Sequence, residues 1–424
     1  MKKIVIIGGG FAGINLANSL ANVNDFEITL VDKNNYNFFP PLIYQVATGF
    51  LETSSIAYPF RKLFKGKKNI HFWLGEFVEV VPEEHKLILS NGTLLYDYLV
   101  FATGTETNYF GMENVKKHAI PMKTLDDALN MRNILLQRIE KATITTNKSE
   151  KKKLLTMVIA GGGPTGVEVS GMFAEMSKTI IQKEYPELAN LGHTEIYLID
   201  GGKSLLAPMS EKSQRYTYQS LEKMGVQIKL NTQVVDYDGE KVSFKDGTYI
   251  KTKNLIWAAG VSAMTFKGLP SESYGRAKRL LVDANNQVKG APGIYAIGDT
   301  CLLEGVDEKF PLGHPQVAQV AIQQGKNLAR NFKAMQANKP LQPFSYQDRG
   351  SMAIIGKAKA VADIPNQKLH FDGFLAWAMW LFIHIMSLIN YRNRLKTLYN
   401  WSVAYFTNDQ SLRMIVRPKE KEVL

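Results

Sequence analysis

The 424-residue sequence predicts an α/β protein in which one strand–glycine turn–helix design is used twice, with a separate apolar and basic helical segment at the C-terminal end. Three observations carry this. The run Lys2-Lys3-Ile4-Val5-Ile6-Ile7 leads straight into Gly8-Gly9-Gly10-Phe11-Ala12-Gly13, a short apolar strand followed by glycines at G-x-G-x-x-G spacing. The pattern returns at Leu155 to Glu168, with Gly161, Gly163 and Gly166 at the same spacing. Finally, Phe374 to Ile389 runs sixteen residues without a charge and is followed by Arg392, Arg394 and Lys396.

In the first turn each glycine has a separate task. Gly8 permits the tight turn, Gly10 lets backbone approach a pyrophosphate, and Gly13 lets the following helix lie close to the strand. The helix N-terminus then offers N–H groups to an anion. Glu27 to Asp32 reads as a second strand ending in an acid, where a ribose 2′-OH acceptor belongs. Asn34 to Gly49 is aromatic, proline-rich and poor in charge, and Pro40-Pro41 interrupt any continuous helix. It reads equally as the wall of a flat apolar ligand site or as a packed surface loop.

Strand-like segments follow at His71 to Gly75, Phe77 to Val81 and Lys86 to Leu89, with a hairpin signal at Asn91-Gly92. Tyr96 to Gly104 reads as a buried strand ending in small residues that let backbone lie against a ligand. A helix is expected over about 123–141, with Thr124 as N-cap ahead of Asp126 and Asp127. The polar, lysine-rich stretch Thr143 to Lys153 reads as a loop or boundary.

After the second glycine turn, Glu195 to Asp200 is the matching acid-tipped strand, and Ile180 to Gly192 reads as an inserted helix extension and loop. Asn254 to Gly260 mirrors Leu99 to Gly104, so each half ends a strand in Ala-x-Gly. Two such sites imply two dinucleotides: one carrier held, one arriving as substrate. Asp200 would repel a 2′-phosphate, and Lys203 is the nearest base, so NADH is favoured over NADPH. Gly293 to Asp299 reads as a further buried strand ending in Gly-Asp. A helix from Gln316 to Ala329 follows, on which Gln316, Gln319 and Gln323 share a face. That stripe suits either solvent or a polar flat ligand.

Composition narrows the partners. The formal net charge of +12 suggests an anionic partner, whether membrane surface, nucleic acid or cofactor. The single cysteine, Cys301, excludes a disulfide framework, a Cys-x-x-Cys redox pair or a cysteine metal cluster within one chain, and the seven histidines show no metal-ligand spacing. The apolar run at the N-terminus is too short for a signal peptide, so the bulk of the protein is expected to stay in the cytoplasm. From Ser345 to Leu424 there are 11 Lys/Arg against 6 Asp/Glu. Tryptophan, tyrosine and basic residues beside an apolar stretch too short to span describe an interfacial membrane helix; a buried core helix or a dimer interface stays open as an alternative.

The chain resembles the type II NADH dehydrogenases, non-pumping NADH:quinone oxidoreductases of the two-domain flavoprotein superfamily. The residues that carry this are Gly8 to Gly13 with Asp32; Phe39 to Gly49; Ala102-Thr103-Gly104; Gly161 to Glu168; Trp257 to Gly260; Tyr295 to Asp299; and Ala318 to Gly325. The Ala-Gln-x-Ala-x-Gln stretch and the basic, aromatic tail are the more specific part. The resemblance implies two Rossmann-like dinucleotide-binding domains plus a membrane-associating helical segment. Non-covalent FAD would be held by residues 1–120 and 285–340, NADH by 121–284, and membrane and dimer contacts by 341–424. FAD would meet Gly8, Gly10, Phe11, Ala12, Gly13, Asp32, Lys33, Val78, Thr103, Gly104, Asp299 and Ala318. NADH would meet Gly161, Gly163, Pro164, Thr165, Gly166, Glu168, Asp200, Ala259 and Gly260. Glu168, Gln319 and Gln323 would serve quinone reduction, with Glu168 either handling protons or hydrogen-bonding the quinone.

A peripheral homodimer on the cytoplasmic face of the inner membrane is expected, with no metal, no calcium-binding insertion and no nucleic acid partner. Which quinone is used, and whether turnover is ping-pong, stay open. The alternatives are a soluble FAD-dependent NADH reductase of a ferredoxin or rubredoxin, and a non-enzymatic NADH-sensing protein.

Overall fold

The computed structural model describes residues 1–178, 182–191, 194–365, 369–407 and 413–416. In chain order, the helices that build the sites are α1 (Phe11–Ser19), α2 (Ile43–Ala47), α3 (Leu125–Ile144), α4 (Lys148–Leu155), α5 (Pro164–Met176), α6 (Ala318–Gln336), α7 (Gly373–Ser387) and α8 (Tyr391–Thr407). The chain divides into two compact units. Unit 1 comprises Met1–Phe38, Ala57–Glu106 and Val261–Asp348; unit 2 comprises Phe39–Ile56, Thr107–Gly260 and Arg349–Leu424. These bounds place 107–120 in unit 2 and 261–284 in unit 1, and they join the C-terminal segment to unit 2.

Unit 1 is built on a five-stranded parallel sheet in the order Ile294–Ala296, Tyr98–Phe101, Lys2–Ile7, Phe26–Asp32, Ile70–Leu74. A parallel sheet covered on both faces needs apolar residues at consecutive positions. Ile4, Val5, Ile6 and Ile7 meet that need, all four buried. The antiparallel strands Phe77–Val81, Lys86–Leu89 and Gly92–Leu95 form the expected hairpin, with Leu89 opposite Gly92. Phe77, Phe101 and Phe266 pack ring to ring in this unit's core.

Unit 2 repeats the sheet, in the order Ile120–Pro121, Asn254–Trp257, Met157–Ala160, Ile196–Ile199, Val226–Lys229, again parallel. Helix α3 starts where expected: Thr124 accepts from the Asp127 N–H, and Asp127 accepts in return from the Thr124 N–H. The C-terminal part of the unit is an antiparallel sheet, Ser351–Gly356, Lys359–Ile364 and Leu369–Asp372, followed by α7 and α8. Helix α5 packs on Ser351–Gly356 so closely that a Cβ at Gly171 would lie 1.7 Å from the Ile355 carbonyl oxygen.

Several local expectations are corrected. Much of Thr143 to Lys153, expected as loop or boundary, lies in helix α4 (Lys148–Leu155), because Asn147 caps it and Leu154 and Leu155 are buried with Ile139 and Ala142 of α3. Within the aromatic stretch, Pro40–Leu42 is one turn of 3-10 helix and Ile43–Ala47 is α2, whose residues are all buried. Gln316 lies before α6, which starts at Ala318, so only Gln319 and Gln323 share the helix. The expected insertion at 180–192 includes residues outside those described; the described part holds a short helix, Gln182–Glu184, and a 3-10 segment, Pro186–Leu191.

Candidate functional site

The two glycine turns are built alike, atom for atom. At Gly8 the backbone has φ +103°, and a Cβ would lie 2.4 Å from the Ala102 carbonyl oxygen. At Gly161 φ is +116°, and the same 2.4 Å separates a Cβ from the Ala258 oxygen. A Cβ at Gly13 would stand 2.0 Å from the Gly8 oxygen, and one at Gly166 would stand 1.8 Å from the Gly161 oxygen. Gly10 and Gly163 differ in kind: among the described residues, their immediate chain neighbours aside, no atom lies within 4 Å of their Cβ positions. These two glycines are kept bare although no such atom crowds them, which suits a ligand group resting on the backbone. Each is the N-cap of its helix, with no side-chain cap and no acid in the first turn. The helix N–H groups and dipole therefore face an anion without competition.

The two acids are also matched. Asp32 accepts from the Gly9 N–H at 2.7 Å and from the Asn34 N–H at 2.8 Å. Asp200 accepts from the N–H groups of Gly162 and Gly202, the latter at 2.6 Å. Burial pushes the Asp32 carboxyl above its usual range, while the Asn34 and Gly9 N–H groups pull it back.

Within unit 1, Thr103 and Gly104 follow the strand that supports Gly8. The Thr103 hydroxyl is buried without a hydrogen-bond partner, and Gly104, at φ +68°, has open space at its Cβ. An orphaned hydroxyl beside bare backbone fits a polar group such as the pyrophosphate or ribityl chain of FAD. Gly298 donates its N–H to Gln324 of α6 at 2.7 Å, and Gln316 donates to the Asp299 carbonyl at 3.0 Å, which ties the Gly-Asp turn to the start of α6. Helix α6 has no side-chain cap at Val317 and no acid in its first turn, so its N-terminus at Ala318 favours negative charge. Phe11 is half-buried and Ala12 buried on α1; Lys33 is exposed just after Asp32. Val78 stands on the antiparallel sheet, exposed. Gln323 is already engaged: its amide donates to the Gln347 carbonyl and accepts from the Gln347 N–H, both at 2.9 Å. Gln319 is half-buried one turn earlier.

In unit 2, Pro164 is exposed and Thr165 half-buried in the first turn of α5. Ala259 packs at the edge of the core around Trp257, and the Phe110 ring covers the Cβ side of Gly260. One turn into α5 the same helix opens onto a cavity of about 380 Å³. Glu168, Met172 and Glu175, at i, i+4 and i+7, line it from α5; Trp377, Leu381 and Ile385 line it from α7; Leu398, Trp401 and Tyr405 line it from α8. Tyr44 and Gln45 of α2 add the polar edge. Trp401 donates to Gln45 Oε1 at 2.7 Å, and Gln45 Nε2 donates to the Tyr44 hydroxyl oxygen at 2.8 Å.

Among these apolar walls desolvation holds the Glu168 carboxyl well above its usual range, against the opposing pull of the Ile354 N–H. Glu175 is raised by desolvation as well, opposed by the Lys357 N–H and by the charges of Lys359 and Lys357. The expectations had singled out Glu168 but not Glu175, Tyr44, Gln45 or Trp401. Tyr44 and Gln45 lie in the aromatic stretch read as a possible ligand wall, Trp401 lies in the aromatic, basic tail, and Glu175 had its i+7 spacing from Glu168.

Residues 2–325 match the pyridine nucleotide-disulphide oxidoreductase family, and residues 349–410 match the NDH2 C-terminal domain. The sequence is 36% identical over 422 residues to a type II NADH:quinone oxidoreductase of Mycobacterium tuberculosis, covering 95% of this chain and 87% of that protein. This chain belongs to the type II NADH dehydrogenase family. A second such protein from the same organism is 34% identical over 96% of this chain and 88% of its own length. In fold, the chain is similar to the structure of NDH2 from Plasmodium falciparum in complex with NADH, with a TM-score of 0.88 at 23% identity, over 98% of this chain and all of that one. The family's two parts meet the two kinds of site found here: the doubled glycine turn lies within residues 2–325, and α7 and α8 lie within 349–410.

Proposed function

We infer that this protein is an NADH:quinone oxidoreductase that carries FAD in unit 1, takes NADH as substrate on unit 2 and reduces a quinone without pumping protons. The observation that carries the reading is the build of α5. Its N-terminus is the second dinucleotide turn, and one turn later its Glu168 faces an apolar cavity large enough for a flat ring. FAD, when bound, supplies the two-electron chemistry: it accepts hydride from a nicotinamide and passes electrons to a quinone.

The chain's own part is binding, orientation and proton supply. In unit 1, the α1 N-terminus above Gly10 takes the FAD pyrophosphate, Asp32 takes the adenosine ribose, and Thr103, Gly104 and Asp299 line the rest. In unit 2, the bare backbone at Gly163 takes the NADH pyrophosphate. Asp200 accepts from the ribose hydroxyl and disfavours a 2′-phosphate. Glu168, whose apolar walls favour the protonated carboxyl, supplies a proton to a quinone oxygen. Gln319 and Gln323 are proposed, on the family resemblance, to serve the quinone step. Gln323 does so through an amide already held by Gln347.

The same reading places α7 and α8 on a lipid surface. Among the described residues no helix is long and apolar enough to cross a membrane. Yet Phe374, Leu375, Phe382, Met386, Tyr399 and Phe406 are exposed, with Phe382 at 66% and Phe406 at 80%. Arg394 donates to the Met386 and Leu388 carbonyls at the end of α7, which stiffens the corner between the two helices. Exposed apolar residues beside Arg392 and Lys396 suit insertion to headgroup depth. Attachment to the cytoplasmic face of the inner membrane, as a homodimer, is the corresponding proposal.

One spectrum tests the core of this. The purified protein is expected to be yellow, to bleach with NADH and to regain colour on adding a short-chain quinone. A protein recoloured only by a ferredoxin or rubredoxin would instead be the soluble reductase, and a colourless one would not be an enzyme of this kind.

A further inference from the structure

Glu168 and Glu175 lie on one face of α5, two turns apart, and both line the cavity. One segment of the neighbouring strand and its turn holds both acids. The buried Ile354 donates its N–H to Glu168, and the exposed Lys357 donates its N–H to Glu175 Oε1. Both acids are half-buried, and their backbone donors differ: the one for Glu168 is buried and the one for Glu175 is exposed. The α5 rise sets their spacing at about 10 Å along the axis, too far for direct transfer and short enough for a few waters to bridge. Lys357 and Lys359 hold positive charge near Glu175, and Lys357 Nζ sits 4.5 Å from the Tyr405 ring at the cavity's edge. Tyr44, Tyr405 and Lys357 are further titratable groups on the lining; burial raises the Tyr44 hydroxyl's pKa, and the charges of Glu168 and then Glu175 add to it. Gly356 has no side chain at the point where a Cβ would stand 2.6 Å from Glu175 Oε1, so the carboxylate has room to sit against the turn.

Quinone reduction needs a proton path. The balanced reaction is NADH + H⁺ + quinone → NAD⁺ + quinol: the hydride brings two electrons and one hydrogen, and the second proton comes from solvent. An apolar cavity that seats the quinone shuts bulk water away from the quinone oxygens, so the proton must come along the carboxylate side of α5, where a few waters bridge Glu175 and Glu168.

We propose that Glu175 is the proton-intake residue of this cavity, taking a proton from solvent at the Lys357 end and passing it through cavity water to Glu168. The proposal rests on reading the cavity as the quinone site. Glu175 touches no substrate; it is a relay that keeps Glu168 protonated between turnovers.

The test is stopped-flow with FAD-loaded protein, reading the two half-reactions separately. Glu175→Gln is expected to bleach with NADH at the wild-type rate and to lose about a hundredfold in reoxidation by quinone, the lower end of a general acid–base contribution. The loss should deepen as pH rises, because free hydronium becomes scarcer, and Glu175→Asp should recover most of the rate. Formate added to Glu175→Ser should restore reoxidation, since a small acid fits the vacated space; no restoration by formate overturns the relay even if the Gln variant folds poorly. Unchanged reoxidation in Glu175→Gln across the pH range also overturns it, with the quinone reading intact. Wild-type protein that bleaches with NADH and is not recoloured by quinone overturns the quinone reading itself.

Discussion

Gly10 and Gly13 lie three residues apart in one turn, and alanine should act on them in opposite ways. A Cβ at Gly13 would be 2.0 Å from the Gly8 carbonyl oxygen, about 1.5 Å inside ordinary contact, and both partners are backbone. Strand and helix must separate to admit it. Overpacking of that kind costs about 3 kcal/mol, and alanine's better helix propensity returns about 1, leaving a net loss of about 2 kcal/mol. A Cβ at Gly10 meets no atom of the described residues within 4 Å beyond its chain neighbours, and the backbone there, φ −76° and ψ −165°, is open to any residue. Weaker capping and a less entropic unfolded chain then nearly cancel, each about 0.5 kcal/mol. The methyl group occupies the space assigned to a pyrophosphate, and losing one charged hydrogen bond costs about 2 kcal/mol, roughly thirtyfold in affinity. Denaturant melts of flavin-stripped protein, paired with FAD titrations by flavin fluorescence, separate the two effects. Gly13→Ala should shift the melt; Gly10→Ala should leave the melt in place and weaken FAD. Wild-type FAD affinity in Gly10→Ala would mean that the open space is not the dinucleotide's, and the reasoning would fail.

The other expectations are briefer. Gly171→Ala should destabilise unit 2 by about 3 kcal/mol, measurable by thermal melting, because its Cβ would meet the Ile355 carbonyl oxygen at 1.7 Å. Asp200→Ala should raise the KM for NADH by about ten- to a hundredfold through a lost charged hydrogen bond, and should narrow the gap to NADPH; unchanged steady-state kinetics with both nucleotides would remove its ribose role. Glu168→Gln should slow reoxidation by quinone at neutral pH while FAD stays bound. The same variant carries a pH signature in stability. The folded carboxyl is raised above its ordinary 4.5, so the fold's preference for the protonated form is complete below that value and is lost as pH rises toward the folded pKa. Glu168→Gln should therefore melt like wild type in acid and above it at neutral pH; parallel melting curves at all pH values would contradict the apolar cavity. Serine at Phe382 and Phe406 together should reduce sedimentation with anionic vesicles several-fold, and undiminished binding would remove α7 and α8 from the lipid contact.

Much of this design was legible because its physics is local. The tight turn, the acid-tipped strand and the capping box at Thr124 are each decided within a few residues, so type and spacing revealed them. What escaped depends on distant chain. Thr143 to Lys153 looked like a polar loop because of its four lysines, and the helix there depends on the next two residues, Leu154 and Leu155, whose partners include Ile139 and Ala142 in α3. Gly171 carried no motif; its need appears only where α5 crosses Ile355, 184 positions away. Gln45 and Trp401, 356 positions apart, form a polar edge that no window over the sequence brings together. The shared face of Gln319 and Gln323 was visible in the spacing, but the Gln347 backbone that holds Gln323 was not.

Asp200 does two jobs with one carboxylate, and this bears on how the enzyme's nucleotide preference is able to change. Besides the ribose contact proposed for it, it accepts from the Gly162 and Gly202 N–H groups, so it also braces the second glycine turn. A lineage, or an engineer, seeking NADPH use would first remove the acid and thereby leave two backbone donors without an acceptor. Adding an arginine for the phosphate is then the second step, not the first. The replacement at 200 must itself accept from those donors, which points to serine or asparagine rather than alanine. Asp32 braces the first glycine turn in the same way, through the Gly9 and Asn34 N–H groups, so a change at the proposed FAD ribose position meets the same constraint.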